Sequence, residues 1–220
     1  MNLAVDIGNT QIKFGLFEAD MLNGVVLQET TLNQILTEHK INYAIVSKTG
    51  ANDEIENKLK QKNIKTFLLS PTLKLPIQIL YNTPETLGPD RIAGSVAANF
   101  LFPHQSVLKI DFGTCITFDF INSNNEYMGG AISPGMQMRF NALHHYTAKL
   151  PLVDPTLFSS HDIIGKDTST SILSGVTNGI TEEVRGIIPA YEKRFGKLKV
   201  VATGGDADTF VTLLKCEIFA

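Results

Sequence analysis

Two short apolar runs, at residues 3–5 and 107–110, lead into related polar turns: Asp6-Ile7-Gly8-Asn9-Thr10 and Asp111-Phe112-Gly113-Thr114. Alternating apolar positions follow each turn, Ile12, Phe14 and Leu16 in the first copy and Ile116, Phe118 and Phe120 in the second. Period-two alternation around a tight turn predicts a β-hairpin at each place. A third strand is expected over 25–30, a short helix over 32–38 and a buried strand over 43–47. Ile55 and Leu59, four apart among charged residues, predict a helix over 53–61, and a strand follows at 66–69. The first half therefore reads βββαβαβ.

Residues 71–87 interrupt regular structure with Pro71, Pro76 and Pro84, yet carry Ile77, Ile79 and Tyr81. An irregular run of this length serves either a binding site or a simple connection. Gly88-Pro89-Asp90-Arg91 then opens a helix whose apolar face is Ile92, Val96, Ala97 and Phe100. In the second half, strands are expected at 107–110 and 116–121 around a turn at 111–115, with a further turn at 122–126. After 128–132, Ser133-Pro134-Gly135 leads into a helix containing Met138, Ala142 and Leu143. Ile172, Val176, Ile180 and Val184, spaced by four, predict a long helix from Thr168 to about Arg185. A buried strand at 198–202 ends in Thr203-Gly204-Gly205-Asp206, ahead of a helix at 207–214. Residues 216–220 read as the beginning of another strand.

Composition narrows the class of protein. With 220 residues the chain can form one large or two small domains, and a mean hydropathy of +0.05 is that of a soluble globular protein. A net charge of −3 without a basic tract gives no support to nucleic-acid binding. No apolar run approaches the length of a membrane span, and the amino-terminal segment reads as a buried strand, not a signal peptide. Cys115 and Cys216 read as buried thiols of a cytoplasmic protein, and no histidine spacing suggests a zinc site.

The chemistry concentrates in the glycine turns. A glycine lets backbone N–H groups approach a phosphate closely, and a neighbouring carboxylate can hold a hydrated divalent cation beside it. Two such turns in one chain could enclose the phosphates of a nucleotide. Asp, Gly, Asn and Thr are also ordinary turn formers, so the residues alone leave two unrelated hairpins as the other reading.

Six stretches in order carry a family resemblance: DIGNTQIK at 6–13, YNTPETLGPDR at 81–91, DFGTCITFD at 111–119, GGAISPG at 129–135, GKDTSTSILSG at 165–175 and TGG at 203–205. Together they resemble the type III pantothenate kinases, members of the acetate and sugar kinase/Hsp70/actin superfamily. The resemblance implies an α/β fold of duplicated ribonuclease H-like (actin-like ATPase) domains, each a mixed sheet with helices, with nucleotide in the cleft between them. The halves would be 1–105, holding the first phosphate turn and a substrate loop, and 106–220, shortened at its end. Cys115 stands where many members of the family have alanine.

The reaction so implied is ATP-dependent phosphorylation of pantothenate to 4'-phosphopantothenate, the first step of coenzyme A biosynthesis. The nucleotide contacts would be Asp6, Ile7, Gly8, Asn9, Thr10, Gln11, Ile12, Lys13, Thr114, Gly204 and Gly205. Asp6 would hold Mg2+ through water, and Asp111 would be the ligand of a monovalent cation, K+ or NH4+. Tyr81, Gly88, Pro89, Asp90, Arg91 and Thr168 would contact pantothenate, with Asp90 also the catalytic base. Read without the resemblance, Asp6 caps a turn, Lys13 is a solvated hairpin lysine and Asp90 is a favourable acid at a helix start. The family also implies a homodimer, lined by the helices at 92–100 and 168–185. An ATP-binding regulatory protein of the same fold is the alternative, as is a related small-molecule kinase. A regulator with a degenerate site would be expected to lose Asp90 or a phosphate turn, and all are present.

Overall fold

The computed structural model describes residues 1–8, 11–19, 21–26, 32–49, 53–157 and 162–214, and divides the chain into two compact units, 1–97 and 98–220. The first unit is built on five strands: β1 (Asn2–Ile7), β2 (Ile12–Glu18), β3 (Met21–Val26), β4 (Tyr43–Lys48) and β5 (Lys65–Leu68). Their order is β3-β2-β1-β4-β5, antiparallel through the first three strands and parallel from β1 to β4 to β5. Alternation sends Leu3, Val5, Ile7, Phe14 and Leu16 to one face, where Leu32 and Ile35 of α1 (Leu32–Glu38) and Ile55 and Leu59 of α2 (Glu54–Gln61) complete a core. The opposite face carries Ala4 and Gly15 at mid-strand and, one pair further along, Asp6 and Lys13.

The third strand lies four residues earlier than the sequence suggests, and the rest of the expected strand, 27–30, is outside the described residues. Met21 and Leu22 are both exposed, so the start of this strand carries no alternation of burial that would reveal it in the sequence. Within the irregular segment lie β6 (Gln78–Ile79) and a 3-10 turn at Pro84–Thr86. Helix α3 (Pro89–Leu101) starts at the expected proline.

In the second unit, β7 (Val107–Phe112), β8 (Cys115–Ile121) and β9 (Glu126–Pro134) form an antiparallel meander. The strand β10 (Lys199–Thr203) pairs parallel with β7 on its other side. Leu108, Ile110, Phe112, Ile116, Phe118 and Phe120 join Ile172, Val176, Ile180 and Val184 of α5 (Thr168–Phe195) in the core, with Phe140 of α4 (Met136–His145) and Phe210 of α6 (Ala207–Leu214). Helix α5 runs ten residues past the expected end. Ile187, Ile188, Tyr191 and Phe195 continue its apolar side, and Phe195 stacks on Phe120 at 4.3 Å. Pro189 inside the helix, which lacks an N–H to donate, hid this continuation in the sequence.

Strand β9 can lie against β8 only because residue 130 has no side chain. A methyl group on Gly130 would sit 1.6 Å from the Phe118 carbonyl oxygen. Gly130→Ala is expected to cost about 2–4 kcal/mol, lowering Tm by on the order of 10 °C. Gly186→Ala on α5, where a methyl meets nothing within 4 Å, is expected to raise stability by roughly 0.5–1 kcal/mol. Thermal melts of both variants check the pair.

Candidate active site

In the first unit, β1 delivers Asp6 to the mouth of the hairpin turn. Asp6 belongs to the strand itself, flanked in register by Lys13 on β2 and Ser47 on β4. The Ser47 hydroxyl donates to its carboxylate at 2.9 Å. Directly beyond, the Gly8 N–H donates to the Gln11 carbonyl at 3.1 Å and closes the turn, while Thr49 secures the Ile7 carbonyl through its N–H and hydroxyl, both at 3.0 Å. Asn9 and Thr10 lie outside the described residues. Lys13 stands directly opposite Asp6, where its positive charge shares the outer face of the sheet with the carboxylate. Gln11 is exposed and Ile12 half-buried.

The loop before α3 brings its own group together. The Gly88 carbonyl accepts from the N–H groups of Arg91 and Ile92, at 3.1 and 3.2 Å, and so starts the helix. Asp90, in the first turn, is exposed, and its carboxylate folds back over Gly88: a methyl on that glycine would meet Asp90 Oδ1 at 2.4 Å. Pro89 is half-buried at the first helical position. Arg91 is only 6% exposed, and its guanidinium lies 5.9 Å from the centre of the Tyr81 ring. At that separation the charge gains from the aromatic face.

In the second unit, Asp111 again lies at the end of a strand rather than in the turn, paired with Thr117 and Thr203. The turn is reduced to Gly113 and the exposed Thr114. Two more glycines border it. Gly135, which precedes α4, donates its N–H to the Thr114 carbonyl at 3.2 Å. Gly204 adopts φ +98°, and a methyl there would lie 2.5 Å from the Phe112 carbonyl and 2.7 Å from Asp111 Oδ1. The Asp206 N–H then donates to the Phe112 carbonyl at 3.1 Å as α6 begins. Burial pushes the Asp206 carboxyl above the ordinary carboxylate range. Two helix starts, of α4 and α6, thus converge on the turn after β7, an arrangement suited to an anion. The sequence pointed to Gly204 and Gly205, but not to Gly135.

Thr168 opens α5, just after a capping box in which Asp167 accepts the Thr170 N–H at 2.8 Å. That bond and the Thr170 hydroxyl hold the Asp167 carboxyl below its ordinary range, so its contribution to stability is present at neutral pH and lost as pH falls through the lowered value. Thr168 lines a cavity of about 480 Å3 with Leu143, Leu150, Ser171, Ile172 and Gly175. Gly165 abuts the first turn of α5 so closely that a methyl would lie 2.2 Å from the Ser171 nitrogen. Cys115 is a free, half-buried thiol, and Cys216 lies outside the described residues. Among the described residues no group of three or more His, Cys, Asp or Glu side chains gathers as a metal site, and no helix is long and apolar enough to cross a membrane. Any cation here would be held by single carboxylates together with phosphate oxygens and water, a ligand set that suits Mg2+. Asp6, at the first glycine turn, would suit that role, and Asp111, at the second, would offer a hard oxygen to a monovalent cation.

Two mixed sheets with flanking helices, each carrying an aspartate at a glycine turn, match the actin/Hsp70-like duplicated ATPase fold. A Baf family protein from Campylobacter jejuni has the same fold at a TM-score of 0.63 and 22% identity, covering 99% of this chain and 90% of that one. The ADPNP-bound activator of 2-hydroxyisocaproyl-CoA dehydratase from Clostridium difficile matches at a TM-score of 0.50 and 14% identity, covering 99% and 87%. At these identities the likeness is one of fold. Sequence comparison goes further. The family model for type III pantothenate kinase matches residues 2–190. The type III pantothenate kinase of Bacteroides fragilis strain YCH46 is 41% identical over all of this chain and 92% of its own length. That of Christiangramia forsetii is 42% identical with the same coverage. The chain belongs to the type III pantothenate kinase family, enzymes whose characteristic reaction is phosphorylation of pantothenate by ATP.

Proposed function

We propose that this chain itself transfers the γ-phosphoryl of Mg2+-ATP to the primary hydroxyl of pantothenate, with Asp90 as the base. The observation that carries the reading is the exposed Asp90 carboxylate at the start of α3, next to Arg91, whose guanidinium lies by the Tyr81 ring of the preceding loop. As the new O–P bond forms and the bond to the β-phosphate breaks, Asp90 accepts the hydroxyl proton and ADP leaves. The turn at Gly8 and that at Gly113–Thr114, with Gly204 and Gly205, supply N–H donors to the phosphates. Asp6 holds Mg2+ through water, Asp111 binds a monovalent cation, and Lys13 adds positive charge near the transferred group. Bound cations offset phosphate charge as it redistributes. Tyr81, Gly88, Pro89, Arg91 and Thr168 hold pantothenate.

The same reading places the protein in the cytoplasm, where ATP is available, as a homodimer. The adjacent exposed Phe100 and Leu101, at the end of α3, are apolar side chains that a second copy would cover.

An ADP-release assay over a panel of small alcohols tests the substrate. ADP is expected only with pantothenate or a close analogue. Turnover of sugars or glycerol, with none of pantothenate by a folded protein, would overturn the reading.

A further inference from the structure

The two hairpins share a register that puts an aspartate near the end of the first strand of each, but the pair behind that aspartate differs. Two residues before Asp6, the first unit places Ala4 opposite Gly15. Two residues before Asp111, the second places Lys109 opposite Asp119. Lys109 is 2% exposed and Asp119 is fully buried. The fold can therefore fill this position with two small residues, and burying an ion pair instead carries a desolvation cost.

The pair is tightly built. Lys109 Nζ lies 3.1 Å from Asp119 Oδ2 and 3.6 Å from Asp111 Oδ2. The Thr117 hydroxyl donates to Asp119 Oδ2 at 3.1 Å, and the buried Tyr127 hydroxyl donates to Oδ1 at 2.8 Å. Asp119 is thus fixed from β8 and β9 and in turn fixes the ammonium. The two oxygens of Asp111 face different surroundings. Oδ2 is on the Lys109 side, whereas Oδ1 lies beside Gly113 and Gly204, within 3.1 and 2.7 Å of where methyl groups on them would be.

We infer that Lys109, anchored by Asp119, is a positioning residue that holds Asp111 Oδ2 inward and so presents Oδ1 at the phosphate turn. One ammonium faces two carboxylates, so the group retains formal negative charge at Asp111, the exposed end, where a cation can approach. This rests on the reading of Asp111 as a functional carboxylate. Partners of this kind, behind a metal ligand, typically change affinity or activity by roughly 10–100-fold when removed.

The test is a mutant cycle. Lys109→Met with Asp119→Asn removes both charges while leaving an acceptor for Tyr127. It is expected to lower kcat at least about tenfold in the wild-type background and to cause no further loss in an Asp111→Asn background. Losses that multiply in the two backgrounds would mean the pair acts on the fold alone and would overturn the inference. Tyr127→Phe, a milder change behind Asp119, should show a smaller loss with the same dependence on Asp111. It keeps the test open if the double variant does not fold. A rise in wild-type Tm with K+ is expected, and it should shift to higher K+ in the charge-removed protein. A wild-type Tm indifferent to K+, with the kinetic dependence on Asp111 intact, would remove the cation from Asp111 and leave Lys109 as its positioning residue.

Discussion

Asp90→Asn is expected to lower kcat by roughly 10²–10⁴-fold while pantothenate and ATP still bind. Asparagine keeps the size and hydrogen-bonding capacity of the side chain, and Asp90 is exposed at the first turn of α3, so the fold has little to lose. What disappears is an acceptor for the hydroxyl proton, without which an alcohol is a poor nucleophile. Gly88→Ala gives an independent view. Its methyl would reach 2.4 Å from Asp90 Oδ1, and the carboxylate has to swing away. A lower kcat at nearly unchanged Tm is expected, since the clash is with the end of a movable side chain. Steady-state kinetics and melting curves of the two variants check this. Near wild-type kcat in Asp90→Asn at saturating substrate would reduce Asp90 to a helix-start acid.

Replacing K+ with Na+ at constant ionic strength is expected to reduce activity strongly, because the smaller ion fits the same oxygens poorly. Asp111→Ala should lower activity and flatten the response to K+, whereas Asp6→Ala should chiefly disturb the dependence on Mg2+-ATP. The two carboxylates have different neighbours, which supports assigning them different jobs. Asp6 shares its strand end with Lys13 and Ser47, while Asp111 sits between Thr117 and Thr203 with Lys109 behind it. Titration of K+ against initial rate for the three proteins measures the effect. Equal wild-type rates in the two salts, with ATP and pantothenate saturating, would remove the cation from the mechanism.

The sequence made the repeat legible because hairpin, acid and glycine are local features. Asp6 and Asp111 could be paired by eye, and the start of α3 followed from Pro89 and Asp90. The exact extent of the turns was less accessible: both aspartates belong to strands, and whether backbone pairing continues past an acidic residue depends on the neighbouring strand. Lys109 escaped notice because it lies inside an otherwise apolar run read as a plain buried strand. Its signal was Asp119, a charge at the matching position of the next strand, which only the hairpin register brings opposite. Gly135 was hidden for a related reason, since its contact with Thr114 joins residues distant in the chain.

The central claim, that this chain is a working pantothenate kinase and not an ATP-binding regulator of the same fold, is tested most directly by following phosphorus. The wild-type protein is incubated with Mg2+-ATP, K+ and pantothenate and observed by 31P NMR. The account predicts a new phosphomonoester resonance growing in step with ADP and absent without pantothenate. ATP bound but unconsumed, or ADP formed with inorganic phosphate alone, would contradict it.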